Sequence, residues 1–420
     1  MLEVIKELIN QKRNVFITGG GGVGKSYILK ELKKIYPEMV ITSTTGVSAL
    51  NVDGQTIHSW SGIGMCERSE RSKAAIALKS KEKAKELTET SLLAIDEISM
   101  LDAKTFKYLD DFLSIVRKNP KPFGGIQVIL IGDFFQLPPV KLEMGAKYCF
   151  ESPLWKKLNL ATINLTKVYR QADKELIEAL NEIRKGDISE KHLNLIANRN
   201  NIEPPIEAVR LYPKKEESDY YNYICFNKIM GEERIYWSND KFYKGDKVIN
   251  PYFDNMTYTD KKDFEIFDDS CQIIHLLKLK VGARVMLLQN LDVSSGLVNG
   301  ACGNVTSLNE KTVTVKFDNG VEKEIGKIRV NSYKRGKVVY SRTQIPLKLA
   351  YACTIHKVQG KTFDKIYVNL NNIFTAGQTY VALSRITALE GLYLKNFDEK
   401  KIKADERVIN FYNELCAVKE

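Results

Sequence analysis

Cysteine is scarce in this sequence, with seven residues among 420 and no C-x-x-C pair. Structural zinc sites need closely spaced Cys and His ligands, and the four histidines are scattered as well. Small domains held by disulfides carry cysteine at a much higher density. The composition therefore argues against a zinc site and a disulfide framework, and it predicts a protein of a reducing compartment.

Long hydrophobic runs are also lacking, since no stretch approaches the roughly 18 apolar residues that are needed to span a bilayer. Glu3 and Glu7 interrupt the amphipathic segment at the start of the chain, which therefore does not resemble a signal peptide. We expect no membrane partner and an intracellular location. That location is cytoplasmic if the source is bacterial, and nuclear or mitochondrial if it is eukaryotic.

Negative charge is in deficit, because 63 Lys and Arg residues outnumber 52 Asp and Glu residues and give a formal net charge of +11. A basic surplus suits a polyanionic partner such as nucleic acid. Solubility alone would explain the same surplus, so the composition leaves both interpretations open.

Residues 15–30 combine a short apolar strand, a glycine-rich loop and the start of a helix. Within them, Gly19, Gly24, Lys25 and Ser26 match the spacing G-x-x-x-x-G-K-[ST]. Such glycines let backbone N–H groups surround a phosphate at a helix N-terminus. The lysine can reach the β- and γ-phosphates, and the hydroxyl can bind Mg²⁺. The flanking strand and helix disfavour a chance glycine-rich turn, so the stretch predicts a site for ATP and Mg²⁺.

Two further polar sites follow apolar strands. Asp96 and Glu97 come directly after residues 91–95, and Gln136 lies just beyond residues 128–131. Carboxylates downstream of a P-loop suit Mg²⁺ binding and the activation of water, and a glutamine there can sense a γ-phosphate. Buried strands that alternate with helices predict an α/β fold with a parallel sheet. The carboxyl edge of that sheet would gather these residues beside the P-loop.

Three residues near these motifs allow two explanations each. Phe134 and Phe135 either stack on bases or lie in the core, and the pattern does not separate the two. Arg170 precedes a predicted helix, where the helix dipole disfavours a cation. An incoming phosphate or a carboxylate partner would explain its position.

The pattern of predicted secondary structure changes in the second half of the chain. Residues 252–270 are polar, and we predict a loop there. Short strands then follow, with a strong hairpin turn at Asp318-Asn319-Gly320. They predict a small β-rich insertion of about 65 residues, after which a second α/β unit without its own P-loop begins near Ile345.

Seven stretches in order resemble the motifs of a superfamily-1 helicase. They are GGGGVGKS, TSTTGVSALN with TIHSW, AIDEISMLD, GDFFQLPPV, VYRQ, TIHKVQGKT and YVALSR. The segments EISMLDAKTFKYLDDFLSIVRK and LDVSSGLVNGACGNV make the resemblance strongest to the Pif-type helicases, the petite-integration-frequency family of superfamily 1B.

The resemblance implies an α/β fold of two RecA-like P-loop NTPase domains in tandem, with ATP bound between them. The implied first domain covers 1–57 and 88–158, with a short insertion at 58–87 that would act as a wedge or pin. The second domain covers 159–278 and 345–420, with an SH3-like β domain at 279–344.

The resemblance also implies residue roles. The catalytic set is Lys25, Glu97, Gln136, Arg170 and Arg385. The metal ligands are Ser26 and Asp96. The nucleotide-binding set is Gly19, Gly20, Gly21, Gly22, Val23, Gly24, Lys25, Ser26, Tyr27, Gln136, Arg170, Gly360 and Arg385. The residues that would face single-stranded DNA are Thr45, His58, Ser59, Phe134, His356 and Lys357.

The implied activity is ATP-driven 5′→3′ travel on single-stranded DNA, with unwinding of forked, tailed or quadruplex DNA in replication, recombination, repair and telomere maintenance. We expect a monomer in solution without an obligate protein partner. A RecD-like or phage Dda-like helicase, or a single-strand-binding regulator switched by ATP, remains an alternative. The family often has a glutamine upstream of the P-loop that reads adenine. Its place falls near Leu2 in this sequence, and the nearby Gln11 is out of register, so the resemblance does not imply specificity for adenine.

Overall fold

The computed structural model describes residues 1–45, 48–49, 52–64, 66, 69–139, 145–205, 208–244, 247–252, 254, 256–271, 273–292, 295–297, 300–334 and 337–417. The chain forms two compact units, one from Met1–Lys215 with Cys353–Glu420 and the other from Glu216–Ala352. Across the described ranges, every helix is too short or too polar to cross a membrane.

The α-helices of the described residues are α1 (Leu2–Asn10), α2 (Lys25–Ile35), α3 (Ile57–Ser61), α4 (Glu70–Ala77), α5 (Lys81–Glu89), α6 (Ala103–Val116), α7 (Pro153–Lys157), α8 (Lys174–Lys185), α9 (Glu190–Ala197), α10 (Lys215–Lys228), α11 (Tyr258–Ser270), α12 (Gln378–Leu383) and α13 (Glu406–Ala417). The strands are β1 (Val15–Gly19), β2 (Val40–Ser43), β3 (Gln55–Thr56), β4 (Leu92–Asp96), β5 (Gln127–Ile131), β6 (Ala161–Leu165), β7 (Val209–Tyr212), β8 (Arg234–Trp237), β9 (Asn239–Lys244), β10 (Lys247–Ile249), β11 (Leu276–Leu279), β12 (Arg284–Leu287), β13 (Cys302–Leu308), β14 (Val313–Phe317), β15 (Glu322–Ile325), β16 (Ile328–Lys334), β17 (Lys337–Gln344), β18 (Leu347–Leu349), β19 (Ala352–Thr354), β20 (Ile366–Asn369) and β21 (Leu392–Lys395).

The first lobe, residues 1–165, is built on a parallel sheet in the order β3-β2-β4-β5-β1-β6. Strands β1, β4 and β5 are buried along their whole length, because apolar clusters cover both faces of the sheet. Such continuous apolar strands are expected in a parallel sheet between helices. The ends of β1, β4 and β5 therefore carry the P-loop, the Asp96-Glu97 pair and the 132–136 turn at one edge of the sheet.

The second lobe, residues 166–215 and 353–405, has the sheet order β19-β7-β20-β21, with β20 parallel to both β7 and β21. Its core joins these strands to the apolar faces of α8 and α12. Two parallel sheets in one compact unit confirm the predicted α/β class.

Two domain boundaries differ from the sequence prediction. Strand β6 pairs with β1, so the first lobe runs to residue 165 instead of ending at 158. The C-terminal helix α13 was assigned to the second domain, but Phe411 and Leu415 pack in the first lobe's core. Both corrections have one cause, since apolar residues distant in sequence complete a core that adjacent residues leave open.

The other compact unit, Glu216–Ala352, contains antiparallel sheets in the orders β10-β9-β17-β16, β11-β8 and β15-β14-β13-β12-β18. The predicted insertion at 279–344 lies within it, and the Asp318-Asn319-Gly320 turn joins β14 to β15 as expected. The assignment of an SH3-like fold stays a prediction. Residues 216–278, placed in the second RecA-like domain from the sequence, belong to this unit because β9 pairs with β17.

The loop predicted at residues 252–270 is wrong for most of its length, because α11 occupies its second part. The Thr257 hydroxyl accepts the Asp260 N–H and caps this helix. Phe264 and Phe267 then pack against Tyr340, at ring-centroid distances of 5.7 Å and 5.4 Å. Charged residues on both sides of the two phenylalanines hid their three-residue spacing in the sequence.

Candidate nucleotide and DNA sites

The P-loop connects β1 to α2 and holds its lysine close to its own backbone. Lys25 Nζ donates hydrogen bonds to the carbonyl oxygens of Gly19 and Gly20, at 2.6 Å and 2.8 Å. Burial lowers the pKa of Lys25 below its ordinary value. The ammonium group is thus held in the loop by main-chain oxygens, which an anionic ligand can replace.

Two P-loop glycines lie against arginines of the second lobe. A Cβ atom on Gly22, whose φ is +82°, would come within 2.6 Å of Arg170 Cβ. A Cβ atom on Gly21 would lie 3.2 Å from Arg385 Nη2. The glycines therefore allow the second lobe to approach the loop.

The carboxylates at the end of β4 form a tight buried group. Glu97 has a left-handed backbone with φ of 53°, and its N–H donates to Asp96 Oδ1 at 2.9 Å. Burial, and next the Glu97 charge, raise the pKa of Asp96 to about 7. Burial likewise raises the pKa of Glu97. From the second lobe, Gln359 Nε2 donates to Glu97 Oε2 at 3.0 Å.

Arg170 and Arg385 are fixed by neutral oxygens. Arg170 donates to Thr362 Oγ1 at 2.9 Å and to Ser384 O at 2.8 Å. Arg385 is 1% exposed and donates to Val381 O and to Ser384 Oγ, both at 2.8 Å. Burial lowers the pKa of both side chains, to about 9 for Arg170. Within the described part of the chain, neither forms an ion pair, so their charges stay available to an anion in the cleft.

The P-loop, Glu97, Arg170 and Arg385 line one cleft of about 300 Å³ in the first compact unit. Its lining residues are Gly21, Gly22, Val23, Gly24, Lys25, Ser26, Tyr27, Glu97, Gln136, Tyr169, Arg170, Gly360, Thr362 and Arg385. The structure therefore brings together every predicted catalytic residue and most of the predicted nucleotide-binding residues. Gly19 and Gly20 contribute the carbonyls that hold Lys25.

Sequence reasoning missed several residues around this cleft. Tyr169 and Thr362 line it directly, and both lie inside the recognised stretches VYRQ and TIHKVQGKT. The Tyr380 hydroxyl accepts the Gly21 N–H at 2.6 Å, although 359 residues separate the two in sequence. Tyr380 opens the recognised YVALSR stretch, but no local pattern pairs it with Gly21, because its partner is a backbone group of the other lobe.

The donors that would hold Mg²⁺ fit that ion. Ser26 presents an exposed hydroxyl in the cleft, and Asp96 is a carboxylate that is 4% exposed. Oxygen donors of this kind suit Mg²⁺, which is usually held by one or two protein ligands together with substrate phosphates. A bound cation would stabilise the ionised form of Asp96, whose pKa is otherwise raised by burial.

Three of the predicted DNA-facing residues of the first lobe lie just after β2 and on α3. Thr45 follows β2, and its Oγ1 lies 2.8 Å from Ser48 Oγ. His58 is half-buried and Ser59 exposed on α3, and burial lowers the pKa of His58. Residues 46, 47, 50 and 51 of the neighbouring motif lie outside the described residues.

Phe134 is a core residue, which corrects its predicted role in facing DNA. It is 1% exposed, and its ring lies 5.7 Å from that of Phe16, 5.7 Å from Trp155 and 5.3 Å from Phe411. Of the two explanations that the sequence allowed, burial in the core therefore holds for Phe134.

In the second lobe, His356 and the exposed Lys357 lie in the turn after β19. The His356 ring stacks on Phe374 with centroids 6.0 Å apart and an interplanar angle of 15°. Phe374 is 46% exposed, and burial lowers the pKa of His356. Together they form a neutral aromatic pair beside a lysine, a combination that suits stacked bases and a phosphate.

Known proteins share this architecture. Residues 1–194 match the model of the PIF1-like helicase family, and residues 267–308 match that of the DNA helicase Pif1 2B domain. The chain is 37% identical over 412 residues to the ATP-dependent DNA helicase PIF1 of Homo sapiens, covering 96% of this chain and 61% of the relative. It thus spans about three fifths of the length of such curated relatives.

Solved structures agree with this assignment. The crystal structure of the Pif1 helicase from Candida albicans superposes with a TM-score of 0.87 at 31% identity, covering 99% of this chain and 98% of that one. A Pif1 helicase from Bacteroides, in complex with ADP-AlF3 and single-stranded DNA, gives a TM-score of 0.76 at 30% identity, covering 99% and 96%. The matches extend over both lobes and the second compact unit, and this chain belongs to the PIF1-like helicase family.

Proposed function

We propose that this chain is an ATP-dependent DNA helicase that moves 5′→3′ along single-stranded DNA and unwinds duplex or structured DNA. One observation carries the proposal. The P-loop of the first lobe and two arginines of the second lobe line the same cleft, and their charges meet no carboxylate partner among the described residues. Membership of the PIF1-like helicase family supports the helicase chemistry, and the direction of travel rests on the same relationship.

In this proposal the cleft hydrolyses ATP. Lys25 holds the β- and γ-phosphates, and Gln136 senses the γ-phosphate and orients the attacking water. Glu97 accepts its proton, and the raised pKa of Glu97 suits a base that works near neutral pH. Arg170 and Arg385 stabilise charge on the transferred phosphoryl group, which is the main catalytic task in phosphoryl transfer.

Mg²⁺ would be held by Ser26 and Asp96, and when bound it would neutralise charge on the phosphate oxygens. The remaining work falls to protein groups. Closure of the second lobe on the first excludes water and aligns the arginines, whose hydrogen bonds to Ser384 already fix their direction.

The DNA track would run past Thr45, His58 and Ser59 in the first lobe, and past His356 and Lys357 in the second. The segment that carries His356 continues to Gln359, which contacts Glu97, and to Gly360 in the cleft. A shift of this segment on binding DNA would therefore reach the hydrolytic carboxylate directly. We propose forked, tailed and quadruplex DNA as substrates, with a monomer as the working unit.

The test is ATP hydrolysis with and without single-stranded DNA, followed by strand separation of duplexes with a 5′ or a 3′ tail. We expect strong stimulation by DNA and unwinding of the 5′-tailed duplex alone, both lost in Lys25→Ala. Tight ATP-dependent DNA binding without stimulated hydrolysis would indicate a regulator switched by ATP. ATPase activity that ignores DNA would indicate a P-loop enzyme of another class.

A further inference from the structure

A buried ion pair joins the two lobes next to the cleft. Arg184, in the last turn of α8, donates through Nε to Asp133 Oδ2 at 2.9 Å and through Nη2 to Oδ1 at 2.7 Å. The Asp133 side chain is fully buried, and that of Arg184 is 12% exposed. Paired donors of this kind fix both the position and the plane of a carboxylate.

Asp133 remains ionised in this setting. Burial disfavours the charged form, but the Arg184 guanidinium, together with Lys25 and the Gln136 amide, outweighs that effect and holds the pKa of Asp133 below its ordinary value. An ionised carboxylate only accepts hydrogen bonds. Any amide that contacts Asp133 must therefore turn its NH₂ group towards it.

The amide of Gln136 makes this contact. Its Nε2 donates to Asp133 Oδ2 at 3.3 Å, on the same oxygen that Arg184 Nε contacts. The bond fixes which end of the amide faces Asp133 and leaves the oxygen end for the cleft, which Gln136 lines. An amide oxygen can accept a hydrogen bond from an attacking water, whereas the reversed amide would offer a donor there.

The Arg184 guanidinium is itself fixed by the first lobe. It lies over the Phe135 ring at 4.7 Å, and Phe135 stacks on Tyr412 of α13 with centroids 4.9 Å apart and an interplanar angle of 11°. The Phe135 N–H also donates to Asp133 Oδ1 at 3.2 Å. Arginine thus meets a carboxylate on one side and an aromatic face on the other, an arrangement that lysine does not reproduce.

We propose that Arg184 is a positioning residue for ATP hydrolysis, which sets the orientation of Gln136 through Asp133. Helix α8 belongs to the second lobe and Gln136 to the first. Gln136 is therefore held in its working orientation only while α8 is docked, which links closure of the lobes to hydrolysis. The inference rests on the proposed function, since it concerns the ATPase reaction of the same cleft.

The test compares Arg184→Ala with wild type by steady-state ATPase kinetics at saturating single-stranded DNA. We expect kcat to fall about 10- to 100-fold while KM for ATP changes less than about threefold, as for loss of an interaction that acts in the transition state. Arg184→Lys keeps the charge but not the paired hydrogen bonds, and its kcat should lie between those of Arg184→Ala and wild type.

The matched control is Arg117→Ala. Arg117 is another part-buried arginine of the first compact unit, and it donates to the carbonyls of Gly124, Leu87, Thr88 and Thr90. Its loss should lower the melting temperature and leave kcat unchanged. If Arg117→Ala lowers kcat as much as Arg184→Ala does, the effect is one of stability and the inference fails.

A double-mutant cycle with Gln136→Ala decides whether Arg184 acts through Gln136. We expect Arg184→Ala to cost nothing further in the Gln136→Ala background, because the group that it positions is gone. If the losses of kcat in the two single variants multiply in the double variant, the two residues act independently and the inference is overturned. A wild-type kcat in Arg184→Ala would also overturn it. If Arg184→Ala does not fold, Arg184→Lys in the same cycle provides the answer. A wild-type protein without DNA-stimulated ATPase would instead refute the proposed function.

Discussion

Removing the charge of Arg385 tests whether the two lobes share one catalytic cleft. The side chain is 1% exposed, and its Nη2 approaches the P-loop so closely that a Cβ atom on Gly21 would lie 3.2 Å away. A unit charge about 5 Å from the transferred phosphoryl group is worth roughly 3 kcal/mol at an effective dielectric constant of about 20. The structure therefore predicts a loss of about 10²-fold in kcat for Arg385→Ala.

The assay measures DNA-stimulated ATPase, strand separation, DNA affinity without nucleotide and thermal melting on the same preparation. We expect hydrolysis and unwinding to fall together, because both need the closed cleft, while DNA affinity without nucleotide stays near that of wild type. The matched control is Arg199→Ala, since Arg199 in the second lobe donates to the carbonyls of Leu392 and Glu390 away from the cleft. A large drop in melting temperature with unchanged kcat in Arg385→Ala would show a structural role and refute the reasoning.

Four further outcomes are expected. Glu97→Gln should keep ATP binding but slow hydrolysis by about 10²-fold, as loss of a general base does, and a single-turnover measurement with unchanged rate would exclude that role. Arg342→Met should lower the free energy of unfolding by about 3–5 kcal/mol in urea titrations, because it leaves the charge of the fully buried Asp240 without its partner, which lies 2.6 Å away in the wild type. A variant as stable as wild type would contradict this prediction. Hydrogen bonding, first from the Ser189 N–H, lowers the pKa of Glu182 to about 2. A lowered carboxylate pKa stabilises the fold above the unfolded value of 4.5, and this stabilisation is lost as the pH falls through about 2. The free energy of unfolding should therefore fall less steeply with decreasing pH in Glu182→Gln than in wild type. Affinity for single-stranded DNA should fall steadily as salt rises, because phosphate contacts release counterions, and a constant affinity from low to moderate salt would argue against a basic track.

The C-terminal helix α13 adds to this picture of the first lobe. The Tyr412 hydroxyl lies 2.6 Å from Thr18 Oγ1 at the end of β1 and accepts the Phe134 N–H at 3.2 Å. It thereby supports both the strand that leads into the P-loop and the turn that carries Gln136. A helix that follows the second lobe in sequence is thus part of the scaffold that positions the catalytic groups of the first.

The sequence by itself determined the α/β class and most of the residues of the cleft. Gly24, Lys25 and Ser26 follow a buried strand at a fixed spacing, and Asp96 with Glu97 ends another. Such signals are local, because the strand, the turn and the phosphate-binding backbone all come from neighbouring residues. Parallel strands then bring their carboxyl ends to one edge without further information.

Only the tertiary structure decided which polar and aromatic side chains meet across the lobes. Arg184 lies 51 residues from Asp133, and Tyr380 lies 359 residues from Gly21, so no periodicity or spacing could pair them. The local sequence around Phe134 is compatible both with a ring that faces DNA and with a ring in the core. Its burial depends on packing against Phe411, which lies in a distant part of the chain. Such contacts depend on how separate segments pack, because hydrophobic burial is non-directional and is satisfied by any apolar surface that the fold brings near.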